Sequence, residues 1–172
     1  SRGADAIAFA AELGVDLMPW QRHVLEEALQ FEVDDAGEFV RHAFRTLLVL
    51  APRQNGKSAL IRVAILWAMF EAGPVEVVSM AQNRGLALDH FKAAVGMIER
   101  IPEFKAQMRG KPRFANGQES FELLNGSRWR IVAATPDAPR GYTADVLWID
   151  EMREIDERVW KAAEPVTRAR KH

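Results

Sequence analysis

Apolar positions along the chain fall into two periodicities that alternate. Residues 5 to 13 read as a short helix closed by Gly14, and Pro19 opens a second helix through about Gln30, with Trp20, Val24, Leu25, Ala28 and Leu29 on one face. An acidic turn follows at Asp34 to Gly37. Leu47 to Leu50 then form an apolar run too dense for a half-exposed strand, the pattern of a central parallel strand buried on both faces. Residues 57 to about 71 read as a helix ended near Gly73-Pro74, Val75 to Ala81 as a second buried strand, and 83 to 100 as an amphipathic helix. Ser120 to Leu124 and Arg128 to Ala133 flank Asn125-Gly126 and predict a hairpin, because Asn-Gly readily takes the positive φ angles of a tight turn. Asp145 to Ile149 gives another strand, and residues 155 to 170 a closing helix. Strands alternating with helices predict an α/β fold built on an open, mainly parallel sheet. Trp67, Met69 and Phe70 belong to the core face of their helix rather than to a base-stacking surface.

Composition narrows this picture. At 172 residues the chain has room for one sizeable core and not for two. With 48% hydrophobic and 27% charged residues it is a globular protein and not a disordered tail. The absence of cysteine excludes a disulfide scaffold, a thiol nucleophile and any thiolate metal site. Lys and Arg number 23 against 24 Asp and Glu, so no global field steers the chain to nucleic acid, and any DNA contact is local. The longest apolar run, Val63 to Phe70, is far short of the roughly 18 residues of a spanning helix, and no basic segment precedes an apolar one at the N-terminus. A soluble protein that is not exported is expected. Histidines at 23, 42, 90 and 172 lack metal-ligand spacing, and no acidic cluster resembles a nuclease metal site, so zinc is not expected.

Candidate chemistry lies at two strand ends. Between the dense apolar run and its helix stands Ala51-Pro52-Arg53-Gln54-Asn55-Gly56-Lys57-Ser58. It resembles the Walker A loop, in which backbone N–H groups and a helix N-terminus cradle phosphates, a Lys neutralises the β and γ oxygens and a hydroxyl binds Mg²⁺. Lys57 and Ser58 hold those two positions; Ala51 departs from the strict pattern, which has its first Gly there. Asp145-Val146-Leu147-Trp148-Ile149-Asp150-Glu151 resembles the Walker B motif. Its strand carries Asp150 to the C-terminal edge of the sheet, where it can orient Mg²⁺ through water, with Glu151 placed to polarise the attacking water. Helix capping is the plain alternative for this acidic pair. Lys57 and Asp150 are 93 positions apart, and the strand between them, Val75 to Ala81, ends in no acid. That order resembles the RecA-like division of P-loop NTPases, and with no Asn-Lys-x-Asp guanine motif it favours ATP over GTP. Phosphoryl transfer also calls for guanidinium groups; Arg53 lies inside the loop, and Arg140 in the turn-rich stretch Thr135 to Tyr142 before the acidic strand.

Taken together, Pro-Arg-Gln-Asn-Gly-Lys-Ser at 52 to 58, Pro19-Trp20-Gln21 upstream, Arg140-Gly141 before a strand and Leu-Trp-Ile-Asp-Glu at 147 to 151 resemble the ATPase domain of a tailed-phage large terminase, over about residues 17 to 160. The resemblance implies a RecA-like P-loop fold with helices on both faces of the sheet, bound ATP and Mg²⁺, and ATP hydrolysis that drives double-stranded DNA into a procapsid. It gives Arg53 the place of a loop glycine, Arg140 that of a trans-acting finger, and Gln21 that of the adenine-recognition glutamine, the plain alternative for Gln21 being a polar helix start beside a core Trp20. Gln82 and Asn83 end the second strand at the same sheet edge, either as site residues or as caps. The partners it implies are DNA, further copies of the chain in a ring, a portal protein and a small terminase subunit, in the host cytoplasm and docked transiently on the portal. Only 21 residues follow Glu151, so residues 1–172 are expected to be a single, truncated N-terminal ATPase domain without the family's nuclease domain. In RecA-like sheets a later strand usually lies beside the P-loop strand, and its absence is expected to leave an apolar edge either exposed or covered by some other element. The basic end at Arg168, Arg170, Lys171 and His172 reads as a phosphate contact or a solvated terminus. Two rival functions remain. A superfamily 2 helicase core would need an Asp-Glu-x-Asp/His box, which Met152-Arg153 does not supply; a nucleotide-holding switch would not need Glu151.

Overall fold

Chain contacts divide the computed structural model into two compact units, Ser1–Trp67 and Ala68–Lys171. The structure describes residues 1–52, 54–81, 84–115, 117–133, 143–150 and 156–168. In the first unit, helices α1 (Gly3–Glu12) and α2 (Pro19–Ala28) bury Ala6, Phe9, Ala10, Leu13 and Leu25. The first helix stops where its sequence says it should: Gly14 takes φ +72°, its N–H reaches Ala11 O, and Val15 N–H reaches Ala10 O. Pro19 occupies the first turn of α2, where a missing N–H costs nothing.

A ribbon that the sequence pattern did not predict follows. Strands β1 (Phe31–Val33) and β2 (Phe39–His42) pair antiparallel, with Glu32 opposite Arg41 in an exposed ion pair at 2.7 Å. Their turn is the expected acidic one, closed by Asp34, whose Oδ1 accepts from the N–H groups of Ala36 and Glu38. Strands of three and four residues are too short for alternation to show.

Helix α3 (Lys57–Glu71) leads into the second unit, which holds β3 (Glu76–Ala81), α4 (Arg84–Glu99), the single turn α5 (Pro102–Lys105), β4 (Ser120–Glu122), β5 (Arg128–Ala133), β6 (Val146–Asp150) and α6 (Glu157–Arg168). The sheet order is β4-β5-β3-β6; β3 runs parallel to both β5 and β6, and β4 closes one edge antiparallel to β5. Alternation divides the side chains between two faces. Val78, Met80, Val132, Leu147 and Ile149 pack with Val159, Ala163 and Val166 of α6. On the opposite face Trp129 meets Phe91 of α4 edge-on at 5.9 Å and donates its indole N–H to Ser79 Oγ at 3.0 Å. Helices therefore flank both faces, as an α/β sheet of buried strands requires. Asp156 caps α6, its carboxylate accepting from Arg158 N–H at 2.7 Å.

Two local expectations are corrected. Asn125-Gly126 does make the hairpin turn, but only Gly126 has positive φ, at +92°. Leu123 pairs with Ser127 around a three-residue loop, and the Asn125 side chain accepts from Ser127 N–H and donates to Met69 O, its own φ staying negative. Leu47 to Leu50 is not a strand. It forms no ladder among the described residues, and Leu47, Leu48 and Leu50 are 56%, 63% and 85% exposed. An apolar run expresses the burial a strand would gain, but its N–H and C=O groups still need a neighbouring strand, and the four-stranded sheet does not include this segment. The apolar surface exposed here belongs to an unpaired segment, not to an edge strand. Among the described residues no helix is long and apolar enough to cross a membrane.

Ser127, fully buried, ties the second unit together. Its hydroxyl points at Met69 O (2.8 Å) and Gly73 O (3.0 Å) at the end of α3 and accepts from Val75 N–H (3.0 Å) at the start of β3. Ser127→Ala would leave the buried Val75 N–H without this acceptor and remove the one proton shared between Gly73 O and Met69 O, the latter still accepting from Asn125 Nδ2, and should lower unfolding free energy by about 1–3 kcal/mol in a denaturant titration; an unchanged midpoint would show that the hydroxyl is dispensable.

Candidate nucleotide-binding site

The loop that joins Leu50 to α3 is shaped by backbone angles rare outside glycine. Gln54 has φ +63° and Gly56 φ +77°, and for Gln54 that conformation costs on the order of 1–2 kcal/mol. Left-handed residues in a short loop are a recurring part of the backbone concavities that bind anions. Gly56 is the last residue before α3, and its carbonyl accepts from Ala59 and Leu60 N–H, both at 3.1 Å. Lys57 and Ser58 are the first two helical residues, so their N–H groups lie among those with no acceptor inside the helix, at the positive end of a 15-residue dipole. Lys57 Nζ donates to Ala51 O at 2.6 Å, closing the loop on itself. Pro52, Gln54 and Asn55 are exposed and Ser58 is half-buried.

Gln21 is where the structure adds most to the sequence. Its side chain is 2% exposed, with both ends of the amide engaged. Oε1 accepts from Met18 N–H at 2.7 Å, capping the start of α2, and Nε2 donates to Gly56 O at 2.8 Å. A side chain on Gly56 would meet Gln21 Nε2 at 2.7 Å and Met18 Cε at 2.9 Å. The residue expected at the adenine is therefore seen holding the loop that opens α3.

Asp150 ends β6 in the second unit. Its Oδ2 lies 2.9 Å from His90 Nε2 of α4, and both side chains are largely buried. The His90 ring tilts over Trp148 at 5.1 Å, and Trp148 meets Trp129 at 6.1 Å. The spacing of histidines in the sequence gave no sign of this contact, because it joins residues 60 positions apart through the packing of α4 on the sheet. Arg53, Gln82, Asn83, Arg140, Gly141 and Glu151 lie outside the described residues.

A parallel sheet flanked by helices, with a loop of this geometry opening a helix, has counterparts among solved structures. The chain is similar to the crystal structure of the HK97 bacteriophage large terminase, with a TM-score of 0.78 at 21% identity over 99% of this chain and 36% of that one. It is similar to the ATPase domain of the Thermus phage P74-26 large terminase, with a TM-score of 0.71 at 21% identity over 94% and 64% of the two chains. A mutant of that domain gives 0.58 at 24% identity over 69% and 53%. The chain has the fold of a large-terminase ATPase domain. It is a P-loop NTPase fold, as its loop and acidic strand end led one to expect. No protein-family model and no curated protein sequence matches the chain. It spans 36% of the HK97 large terminase and under two thirds of the P74-26 domain.

On this terminase-like fold the donors suit a nucleotide with Mg²⁺. The loop offers backbone N–H groups and a cation to phosphate, and Gly56 leaves the backbone bare where a Cβ would collide. Mg²⁺ keeps most of its waters and takes one or two protein oxygens beside phosphate; the Ser58 hydroxyl in the first unit is a hard oxygen donor of that kind, and so, taken by itself in the second unit, is the Asp150 carboxylate. Among the described residues no group of three or more His, Asp or Glu gathers as an all-protein metal cage. Gly56→Ala should cost ~1–3 kcal/mol, because it adds the left-handed penalty to the collision with Gln21. Denaturant unfolding measures the loss, and wild-type stability would mean that the loop rearranges freely.

Proposed function

We propose that the chain is the ATPase of a viral DNA-packaging motor, hydrolysing ATP with Mg²⁺ to move double-stranded DNA into a procapsid. The observation that carries the reading is the loop with Gln54 and Gly56 in the left-handed region, running straight into a helix whose first two residues are Lys57 and Ser58. The terminase-like fold supports the motor reading over other P-loop activities.

In this reading Pro52 to Ser58 wrap the triphosphate with their backbone. Lys57 leaves Ala51 O for the β and γ oxygens, exchanging a neutral carbonyl for anionic partners. Ser58 and Asp150 would hold Mg²⁺. The ion, when bound, neutralises charge developing on the phosphate oxygens. Glu151 accepts the proton of the attacking water at its carboxylate. Arg53 neutralises the γ-phosphate from within its own subunit, and Arg140 from a neighbour. Gln21 fixes Gly56 and, through it, the loop that the nucleotide must fit; adenine recognition by the same amide would exchange one of its present hydrogen bonds for one to the base. The partners in this reading are double-stranded DNA, further copies in a ring, a portal protein and a small terminase subunit, in the host cytoplasm and docked transiently on the portal.

Lys57→Ala should weaken ATP binding itself, whereas Glu151→Gln should bind ATP normally and lose about 10²–10⁴ in turnover. Equilibrium binding and steady-state phosphate release separate the two; normal affinity in the first variant, or normal turnover in the second, would remove that residue from the mechanism. A finger in trans also makes turnover depend on neighbours, worth about 10³–10⁵ in rate. Turnover per chain should therefore rise with protein concentration, and mixing Arg140→Ala with Glu151→Gln chains should restore part of it, while mixing Arg53→Ala with Glu151→Gln should not. Equal behaviour of the two mixtures would reverse the assignment of cis and trans arginines.

A further inference from the structure

The Asp150 carboxylate does not stand alone at the end of its strand. A carboxylate only accepts, so the contact to His90 at 2.9 Å is an imidazole N–H donated from Nε2 to Asp150 Oδ2. The pair is shielded, with 13% of the His90 side chain and 21% of the Asp150 side chain exposed. The imidazole is itself oriented, because its ring lies over buried Trp148, two residues before Asp150 on the same face of β6, and Trp148 is backed by Trp129 of β5. Sheet, aromatic shelf and helix α4 thus aim one N–H at one carboxylate oxygen.

Resting on the reading of Asp150 as the Mg²⁺-organising acid, we propose that His90 is its positioning residue. The hydrogen bond fixes the rotation of the carboxylate before the metal arrives, and so the direction in which its lone pairs point. Without it the carboxylate must give up rotamer freedom on binding and has fewer constraints on its aim. Groups that orient metal-ligating side chains in this way are typically worth about 10–100-fold in metal affinity. The role is indirect: His90 acts through Asp150 and touches neither nucleotide nor water in the reaction.

The test reads metal binding, not turnover. The Mg²⁺ concentration that half-saturates binding of a fluorescent, non-hydrolysable ATP analogue is measured for the wild-type chain, His90→Phe, His90→Gln, Asp150→Asn and the His90→Phe/Asp150→Asn double variant. His90→Phe keeps a ring over Trp148 but loses the donor, and should raise the half-saturating Mg²⁺ by about 10–100-fold. His90→Gln restores an N–H and should recover much of the loss, which a purely structural role for the ring would not produce. In the Asp150→Asn background His90→Phe should change little more. A sensitive Asp150→Asn beside a silent His90→Phe overturns the His90 proposal alone; an insensitive Asp150→Asn overturns the reading of Asp150 and the proposal with it. Should His90→Phe fail to fold, the wild-type chain still decides the matter: the ¹⁵N resonance of His90 Nε2 should move when Mg²⁺ joins the nucleotide complex, and a resonance that stays in place contradicts the proposal.

Discussion

The carbonyl of Gly56 is the point on which the first unit turns. It accepts from Ala59 and Leu60, which starts α3, and from the buried amide of Gln21, which caps α2 with its other end. Those three donors fix the peptide at the mouth of α3 and leave its first N–H groups facing outward, where the helix dipole favours negative charge. A Cβ at Gly56 would press on the ends of the Gln21 and Met18 side chains, and the Gln21 amide could move aside only by giving up its hydrogen bonds; with the left-handed backbone at φ +77°, glycine is the residue that fits here with least strain. Gln54, at φ +63°, carries its left-handed cost two residues before this lock.

The second unit supplies a different kind of rigidity. Trp129 and Trp148 stand side by side on one face of the sheet, with Phe91 and His90 of α4 laid against them. A shelf of large rings has few alternative packings, so the last turn of chemistry on β6 is presented at a fixed height and angle. Asp150 inherits that order from Trp148 through two peptide bonds and from His90 through one hydrogen bond. Preorganisation of this sort is what phosphoryl transfer asks of a protein, since the reaction needs positioned charge more than covalent participation.

Elements whose pattern is set by their own burial were legible in the sequence. Val75 to Ala81 and Asp145 to Ile149 are apolar runs that became β3 and β6, and Gly14, Pro19 and Gly73-Pro74 marked helix ends because their backbone limits act locally. Leu47 to Leu50 carries the same signal as those strands and did not become one, since pairing depends on a neighbour that a one-dimensional pattern does not contain. The loop was legible as a motif through Gly56, Lys57 and Ser58, but its lock was not: Gln21 is a polar residue at a helix start, a place where exposure is the usual outcome, and only the approach of Gly56 buries it. His90 was passed over for a similar reason. Its meaning lies in a partner 60 positions away, and the spacing of the four histidines carries no trace of that contact.

Backbone amide exchange across residues 54 to 60, compared with and without ATP and Mg²⁺, tests the central claim most directly, because the account places bound phosphate on those N–H groups. Nucleotide should slow exchange at the loop and the first turn of α3 while leaving Asp34 to His42 unchanged. Exchange at 54 to 60 that is indifferent to saturating ATP and Mg²⁺ would contradict the account at its base.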